Sequence, residues 1–190
     1  MVKMGMGSKK SIIPNCITSL RLVGAVALLF IVPLSMTFYI IYTICGITDT
    51  LDGTIARKTG CTSELGARLD SIADLTFYAV MLIKVFPVLW KMLPVSVWYI
   101  VTGALVIRVA SYVLAAIKYR RFSALHTWLN KITGFLVFAI PYIILLPFAI
   151  PGCYVVASVA VISSGEELII HIIRKEYKPS IKSVVEDEIK

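Results

Sequence analysis

The chain contains few charged residues and very few acidic ones. Of its 190 residues only 16% are charged, with 19 basic and 11 acidic side chains, whereas a soluble domain carries about 25%. Residues 22–48 and 132–165 contain no charged side chain at all, and each stretch exceeds the about 20 residues that a helix needs to cross a bilayer. A hydrophobic fraction of 58% and a mean hydropathy of +0.88 also exclude disorder. The composition therefore excludes a soluble enzyme and a disordered chain.

Cysteine is also scarce and is not arranged for chemistry. No CxxC pair and no dense cysteine framework occurs, so the sequence offers no typical redox or zinc motif. We expect the cysteines to be packing residues without a disulfide bond. There are four of them: Cys16, Cys45, Cys61 and Cys153.

The net charge of +8 does not indicate a nucleic-acid partner. The basic residues form short clusters between apolar runs, and no basic face with interleaved aromatic residues is present to hold a strand. Such clusters are typical of membrane proteins, in which they orient helices and meet anionic lipid headgroups. We therefore expect membrane lipid, and no nucleic acid, among the partners.

Hydropathy and the positions of prolines predict an all-α, polytopic membrane protein with six transmembrane helices. Residues 1–175 would form a single six-helix membrane domain, and residues 176–190 a charged cytoplasmic tail. Pro87 and Pro94 would bracket a short connection, and Pro151 would start the last span. The six expected spans cover about residues 15–33, 37–59, 64–86, 95–117, 127–149 and 152–173.

The distribution of lysine and arginine predicts the orientation of these spans. Lys84 and Lys91 are the only basic residues on one expected side, and all the other loop and terminal basic residues fall on the opposite side. Because basic residues are retained in the cytoplasm, both termini should be cytoplasmic. The apolar run after Lys9 and Lys10 is too long for a signal peptide, so we expect a retained first span.

Acidic residues occur inside the second and third expected spans, where they are energetically costly and usually functional. One set, in the second span, is Asp49, Asp52, Gly53 and Ala56, and the other, in the third span, is Gly66, Asp70 and Asp74. Helical spacing puts the members of each set on one face of their helix, and the two antiparallel spans bring the acids of the two faces to similar depths. Four carboxylates should thus converge in one pocket.

Four buried carboxylates need protons or cations, because an unpaired buried charge costs several kcal/mol. Carboxylate oxygens are hard ligands that suit Mg²⁺, Mn²⁺ or Ca²⁺. The alternative is that these acids only form ion pairs with Arg57 and Arg68. The acids outnumber those bases and share their faces with small residues that leave room for a ligand, which favours a cation site.

The spacing of these residues resembles the signature of the CDP-alcohol phosphotransferase (CDP-alcohol phosphatidyltransferase) family. An earlier segment, Ile13-Pro14-Asn15-x₂-Thr18-x₂-Arg21, is similar to bacterial phosphatidyltransferases of the phosphatidylglycerophosphate synthase type. The resemblance covers the six-span architecture and is most specific between residues 49 and 74. The signature reads Asp49-x₂-Asp52-Gly53-x₂-Ala56-Arg57-x₈-Gly66-x₃-Asp70-x₃-Asp74.

The resemblance implies an enzyme that transfers a phosphatidyl group from CDP-diacylglycerol to a small alcohol and releases CMP. It implies one or two Mg²⁺ or Mn²⁺ ions, with Asp49, Asp52 and Asp70 as ligands. Asp74 would be the general base for the acceptor hydroxyl and would also contact a second metal. It further implies a homodimer in a bacterial-type cell membrane, with the site facing the cytoplasm. The residues expected to bind CDP are Asp52, Gly53, Ala56, Arg57, Gly66, Asn15 and Thr18.

The acceptor stays open at the level of sequence. Arg21, Arg108 and Lys131 would suit the phosphate of glycerol 3-phosphate or of a lipid, which favours glycerol 3-phosphate as the acceptor. Snorkelling or plain ion pairing is the alternative for Arg108 and Lys131, and helix anchoring is the alternative for Arg21. Ser71 and Leu75 stand where glycerophosphate enzymes typically have proline and lysine. That difference favours serine or inositol phosphate, and phosphatidylglycerol is a further alternative.

Three polar residues near the end of the last span have no assigned role. Glu166, Glu167 and His171 would pair with Arg108, face an amine-bearing acceptor, or lie in solvent at a helix end.

A cation transporter that uses the buried acids as its ion path is the alternative from another class of protein. It explains neither the x₈ spacing to Gly66 nor the arginine beside Ala56.

Overall fold

In the computed structural model, every regular element that the described residues form is an α-helix. The described backbone comprises residues 7–59, 64–120, 125 and 127–174, and side chains are described for residues 17–49, 69–120, 125 and 127–174. The predicted all-α fold is therefore confirmed for this part of the chain. The helices are α1 (Gly7–Phe30), α2 (Met36–Thr59), α3 (Glu64–Lys84), α4 (Phe86–Met92), α5 (Val95–Tyr119), α6 (Trp128–Ile143) and α7 (Ala149–Ile173).

The chain divides into two compact units, of which the first covers Met1–Met92. In this unit α1 packs against both α2 and α3. A β-carbon on Gly24 of α1 would lie 2.9 Å from the Cys45 sulfur of α2, so the two helices approach closely at this position because Gly24 has no side chain. Phe38, Tyr42 and Phe77 stack in series, which brings aromatic rings of α2 against a ring of α3.

Polar groups fix the ends of α1 and α2. The Ser35 hydroxyl accepts a hydrogen bond from the Phe38 amide at 3.2 Å and so caps the first turn of α2. The Lys84 ammonium at the end of α3 donates to the Ile31 carbonyl at 3.0 Å, just past the end of α1. A cation at the C-terminal end of a helix is favourable because exposed carbonyls make that end negative.

The segment expected to be a short connection contains a helix of its own. Helix α3 ends at Lys84, whereas the third span was expected to end near residue 86, and α4 then runs from Phe86 to Met92. Pro87 lies in the first turn of α4, where a missing amide hydrogen is tolerated. Pro94 is the N-cap of α5, with an extended backbone (φ −65°, ψ 152°). The two prolines therefore mark helix starts and not an irregular loop.

The second unit covers Leu93–Lys190, and α7 lies at its centre in contact with α5 and α6. At one end of the α5–α7 pair the hydroxyl groups of Ser96 and Tyr154 share a hydrogen bond. At the other end the Lys118 ammonium donates to the carbonyls of His171 (2.8 Å) and Ile172 (3.0 Å). Polar contacts thus fix both ends of this helix pair.

The boundaries expected for the last two spans were wrong by several residues. Helix α6 ends at Ile143 and not near residue 149. The Leu145 and Leu146 amides donate to the carbonyls three residues earlier, which tightens the last turn. Pro147 follows and has no amide hydrogen with which to continue the helix. Helix α7 begins at Ala149, so Pro151 lies within its first turn instead of before it.

Three helical stretches among the described residues are long and apolar enough to cross a membrane. They are Leu69–Met92, Val95–Tyr119 and Ala149–Ile173, and the apolar stretches Ile17–Phe30 and Trp128–Ile143 are shorter. Many large apolar side chains face outward, among them Phe30 (85% exposed) and Ile117 (76%). Outward apolar surface on helices of this length is typical of proteins embedded in lipid.

Candidate active site

Three carboxylates converge in the first unit. Asp49 lies on α2, and Asp70 and Asp74 lie one turn apart on the same face of α3. One oxygen from each carboxylate can be chosen such that all three lie within 4.8 Å of one another. We call these residues the acidic cluster. They are three of the four acids that the sequence expects to converge, and the side chain of Asp52 lies outside the described residues.

Arg21 of α1 lies against the acidic cluster. Its guanidinium donates to the Asp49 carboxylate through Nη1 and to Asp70 Oδ1 through Nη2 at 2.6 Å. Nη2 is also 3.1 Å from Asp74 Oδ1. One buried arginine side chain, 1% exposed, therefore contacts acids from two other helices. The structure brings Arg21 to these acids, whereas the sequence assigned it to an acceptor or lipid phosphate.

The chemistry of the acidic cluster fits a divalent cation. Three carboxylates and one guanidinium carry a formal charge of −3 + 1 = −2 when all are ionised, which one divalent ion would balance. The donors are all oxygens, which suits Mg²⁺ or Mn²⁺. The carboxylate side chains are 45–54% exposed, so a ligand can reach them. Asp49, Asp70 and Asp74 would therefore hold such an ion.

Several residues expected at this site have side chains outside the described part of the chain. Thr18 is described: it is 4% exposed and lies one turn before Arg21 on α1, so it shares the face of α1 that carries Arg21. The alternative in which the acids pair only with Arg57 and Arg68 involves undescribed side chains. The expected CDP-binding residues outside the described side chains are Asn15, Asp52, Gly53, Ala56, Arg57 and Gly66.

A second polar cluster lies in the second unit, around Arg108 of α5. The Arg108 guanidinium donates to the Glu167 carboxylate of α7 and, at 2.7 Å, to the Asn130 side-chain oxygen of α6. Its other terminal nitrogen lies 3.3 Å from the Ser163 hydroxyl. We call Arg108, Asn130, Ser163 and Glu167 the Arg108 cluster. It connects α5, α6 and α7.

Arg108 also lines a cavity of about 380 Å³ together with Tyr112, Asn130 and Lys131. The Lys131 ammonium lies 4.9 Å from the centre of the Trp128 ring, in a cation–π contact. Arg108 and Lys131, which the sequence paired as candidate phosphate ligands, thus border one cavity. The contact of Lys131 with the Trp128 ring was not among the sequence expectations, which were a phosphate ligand, snorkelling or ion pairing.

Sequence reasoning missed two features of these sites. It did not anticipate Arg21 as the partner of the acids, although an arginine within a first span is itself a signal. It also left Glu167 undecided between pairing and solvation, whereas Glu167 is 0% exposed and pairs with Arg108. Asn130 and Ser163, which complete the Arg108 cluster, carry no charge and gave no sequence signal.

Comparison with known proteins places the chain in a family. Residues 11–165 match the CDP-alcohol phosphatidyltransferase family, which is most of the chain. The chain therefore belongs to this family of transferases, and the resemblance noted from the acidic signature is confirmed. No solved structure matches the chain.

Two curated relatives differ in the acceptor that their names state. The chain is 36% identical over 90 residues to the CDP-diacylglycerol–glycerol-3-phosphate 3-phosphatidyltransferase of Wigglesworthia glossinidia brevipalpis, covering 43% of this chain and 50% of the relative. It is 56% identical over 34 residues to the CDP-diacylglycerol–serine O-phosphatidyltransferase of Methanocaldococcus jannaschii (strain ATCC 43067 / DSM 2661 / JAL-1 / JCM 10045 / NBRC 100440), covering 18% of this chain and 17% of the relative. The matches span half or less of each relative.

Proposed function

We propose that the protein transfers a phosphatidyl group from CDP-diacylglycerol to a small alcohol, releases CMP and requires Mg²⁺ or Mn²⁺. The observation that carries this proposal is the convergence of Asp49, Asp70 and Asp74 on one buried guanidinium, in a chain of the CDP-alcohol phosphatidyltransferase family. The cluster retains negative charge after Arg21 is counted, and a cation and a diphosphate substrate would together complete it.

The reaction is a direct displacement at the phosphatidyl phosphorus. The acceptor oxygen forms a bond to this phosphorus, the bond from phosphorus to the CMP oxygen breaks, and the acceptor proton passes to the Asp74 carboxylate. Asp49, Asp52 and Asp70 would be metal ligands, and Asp74 would contact a second ion. A bound divalent cation supplies neutralisation of the negative charge on the diphosphate oxygens.

The donor diphosphate would lie against Arg57, whose planar guanidinium can make two charge-assisted bonds to phosphate oxygens. Small residues beside the acids leave room for the nucleotide. The sequence signature supports this assignment of the CDP-binding residues, and Thr18 is buried on the face of α1 that carries Arg21. The proposed CDP-binding residues are Asn15, Thr18, Asp52, Gly53, Ala56, Arg57 and Gly66.

We propose glycerol 3-phosphate as the acceptor. Arg108 and Lys131 border one cavity, and one positive charge remains there after the Arg108–Glu167 ion pair is counted, which suits a phosphate group better than a zwitterionic amino acid. The name of the Wigglesworthia relative states the same acceptor. Serine is the main alternative, because the Methanocaldococcus relative is named for it. Inositol phosphate and phosphatidylglycerol remain further candidates for the test.

The proposed setting is a cell membrane of bacterial type, with the active site facing the cytoplasm. Six spans with both termini cytoplasmic would form one domain over residues 1–175, followed by a charged tail over residues 176–190. The basic residues between the spans support this orientation. We also propose a homodimer, which rests on the family resemblance.

The proposal is tested with the purified chain in detergent, CDP-diacylglycerol, Mg²⁺ or Mn²⁺ and one acceptor at a time. The acceptors are glycerol 3-phosphate, serine, inositol phosphate and phosphatidylglycerol, and mass spectrometry identifies the lipid product. We expect phosphatidylglycerophosphate from glycerol 3-phosphate. A different lipid product would correct the acceptor alone. Divalent-cation flux in proteoliposomes, with no lipid product from any acceptor, would instead support a cation transporter.

A further inference from the structure

Arg21 holds the position of a counter-cation within the acidic cluster. Its two terminal nitrogens contact one carboxylate on α2 and two on α3, and these are the carboxylates that would hold a divalent ion. An arginine remains positively charged under all physiological conditions. Any divalent ion that enters the cluster must therefore share these carboxylates with a fixed positive charge.

The surroundings of Arg21 keep this charge in place. The Arg21 side chain is 1% exposed, whereas the carboxylates that it contacts are about half exposed. The Arg21 carbonyl accepts a weak hydrogen bond from the buried Cys45 thiol at 3.8 Å, and Gly24 allows α2 to approach α1 one turn further on. Packing thus fixes the backbone of α1 at Arg21. Arg21 is thus the buried member of the cluster.

We propose that Arg21 is the built-in counter-cation of the acidic cluster. It holds Asp49, Asp70 and Asp74 together while no metal is bound, and it weakens the binding of the metal that later enters. Both effects follow from one charge: three adjacent carboxylates repel one another without a cation, and two cations at the same carboxylates repel each other. The inference rests on the metal site of the proposed function and assigns a positioning role to Arg21.

The test measures metal binding and thermal unfolding, and it does not depend on catalysis. The full chain in detergent is titrated with Mn²⁺, and the free ion is followed by electron paramagnetic resonance. Arg21→Gln, purified with Mn²⁺ present, should bind Mn²⁺ at least about tenfold more tightly, since a unit charge at contact distance is worth more than this factor. In excess chelator Arg21→Gln should unfold at a lower temperature than the wild type. Addition of Mn²⁺ should then raise the unfolding temperature of Arg21→Gln by more than it raises that of the wild type.

Two further variants make the result specific. Arg21→Lys keeps the charge but cannot contact three carboxylates with a planar fork, so its Mn²⁺ affinity should lie between those of the wild type and Arg21→Gln. Lys84→Gln is the matched control: it removes a cation that joins α3 to the end of α1 without touching the acids. It should lower the unfolding temperature and leave the Mn²⁺ affinity unchanged.

The outcomes separate this inference from the proposed function. Equal or weaker Mn²⁺ binding by Arg21→Gln, with normal binding by the wild type, would overturn the counter-cation role and leave the metal site standing. An increase in Mn²⁺ affinity in Lys84→Gln as large as that in Arg21→Gln would also overturn it. A wild-type chain that binds no Mn²⁺ would overturn the inference together with the proposed metal site.

Discussion

Arg108 on α5 and Glu167 on α7 form an ion pair in which the carboxylate is completely buried. The remaining bonds of that carboxylate are also protein contacts: Glu167 Oε1 accepts from the Leu125 amide at 2.9 Å, and Oε2 accepts from the Asn130 side-chain amide at 3.2 Å. Glu167 thus connects α5, α7 and the chain leading into α6. A buried charge with these partners stabilises one arrangement of the three helices and makes the loss of any partner costly.

Glu167→Gln should strongly destabilise the second unit. The substitution keeps the size of the side chain but leaves Arg108 without its counter-charge, and breaking a buried ion pair costs about 3–5 kcal/mol. Thermal unfolding in detergent measures the effect. The double variant Arg108→Gln with Glu167→Gln removes both charges. Its loss of unfolding free energy should be smaller than the sum of the losses in the two single variants. Additive losses would mean that the two side chains are not coupled.

Asp74→Asn should nearly abolish CMP release and largely spare the binding of CDP-diacylglycerol. An amide cannot accept the acceptor proton, and removing a general base costs about 10²–10⁴-fold in rate. CMP release and binding of the CDP-lipid are measured on the same preparation. Thr76→Ala on the same helix is the control, because the Thr76 hydroxyl donates within α3, to the Ile72 carbonyl at 2.7 Å. Full activity in Asp74→Asn would refute the assignment of the base.

Removal of divalent metal should stop turnover, and Mg²⁺ or Mn²⁺ should restore it. The acidic cluster offers oxygen donors and residual negative charge, both of which hard cations require. Asp49→Asn and Asp70→Asn should each raise the metal concentration needed for half-maximal CMP release, because each removes one charged donor. Turnover that persists in excess chelator would contradict the metal site.

Gly24→Ala should destabilise the first unit. The added methyl group would lie 2.9 Å from the Cys45 sulfur, closer than packed atoms approach, and such overpacking costs about 1–3 kcal/mol. Cys45→Ala removes the sulfur, so it should relieve the effect when combined with Gly24→Ala. Unfolding temperatures of the two single variants and the double variant test this contact. If Cys45→Ala gave no relief, the loss would arise elsewhere.

The sequence predicted the acidic cluster because residues three or four positions apart always lie on the same face of a helix. Asp70 and Asp74 are one turn apart on one helix, and the antiparallel arrangement of two neighbouring spans predicts that Asp49 lies at a depth similar to that of Asp74. The role of Arg21 could not be predicted in this way, because 28 residues separate it from Asp49 and 49 from Asp70. Such contacts depend on how α1 packs, and no short spacing encodes that packing.

Helix ends were less predictable than helix identity. The prolines at 87, 147 and 151 mark interruptions, but a proline is tolerated in a first turn and disfavoured further along, so its position alone does not show which helix it belongs to. Glu167 presents a similar ambiguity. A glutamate near the end of an apolar helix lies in water or pairs inside the protein, and its burial depends on Arg108 of α5.

The most direct test of the account is the molar ratio of CMP to lipid product. The purified chain is supplied with CDP-diacylglycerol, Mn²⁺ and isotopically labelled glycerol 3-phosphate, and CMP and labelled phosphatidylglycerophosphate are quantified together. The proposed displacement predicts equal amounts of both, neither product when chelator replaces Mn²⁺, and at least about 10²-fold slower formation of both in Asp74→Asn. CMP released without labelled lipid, or equal turnover in chelator, would contradict the account.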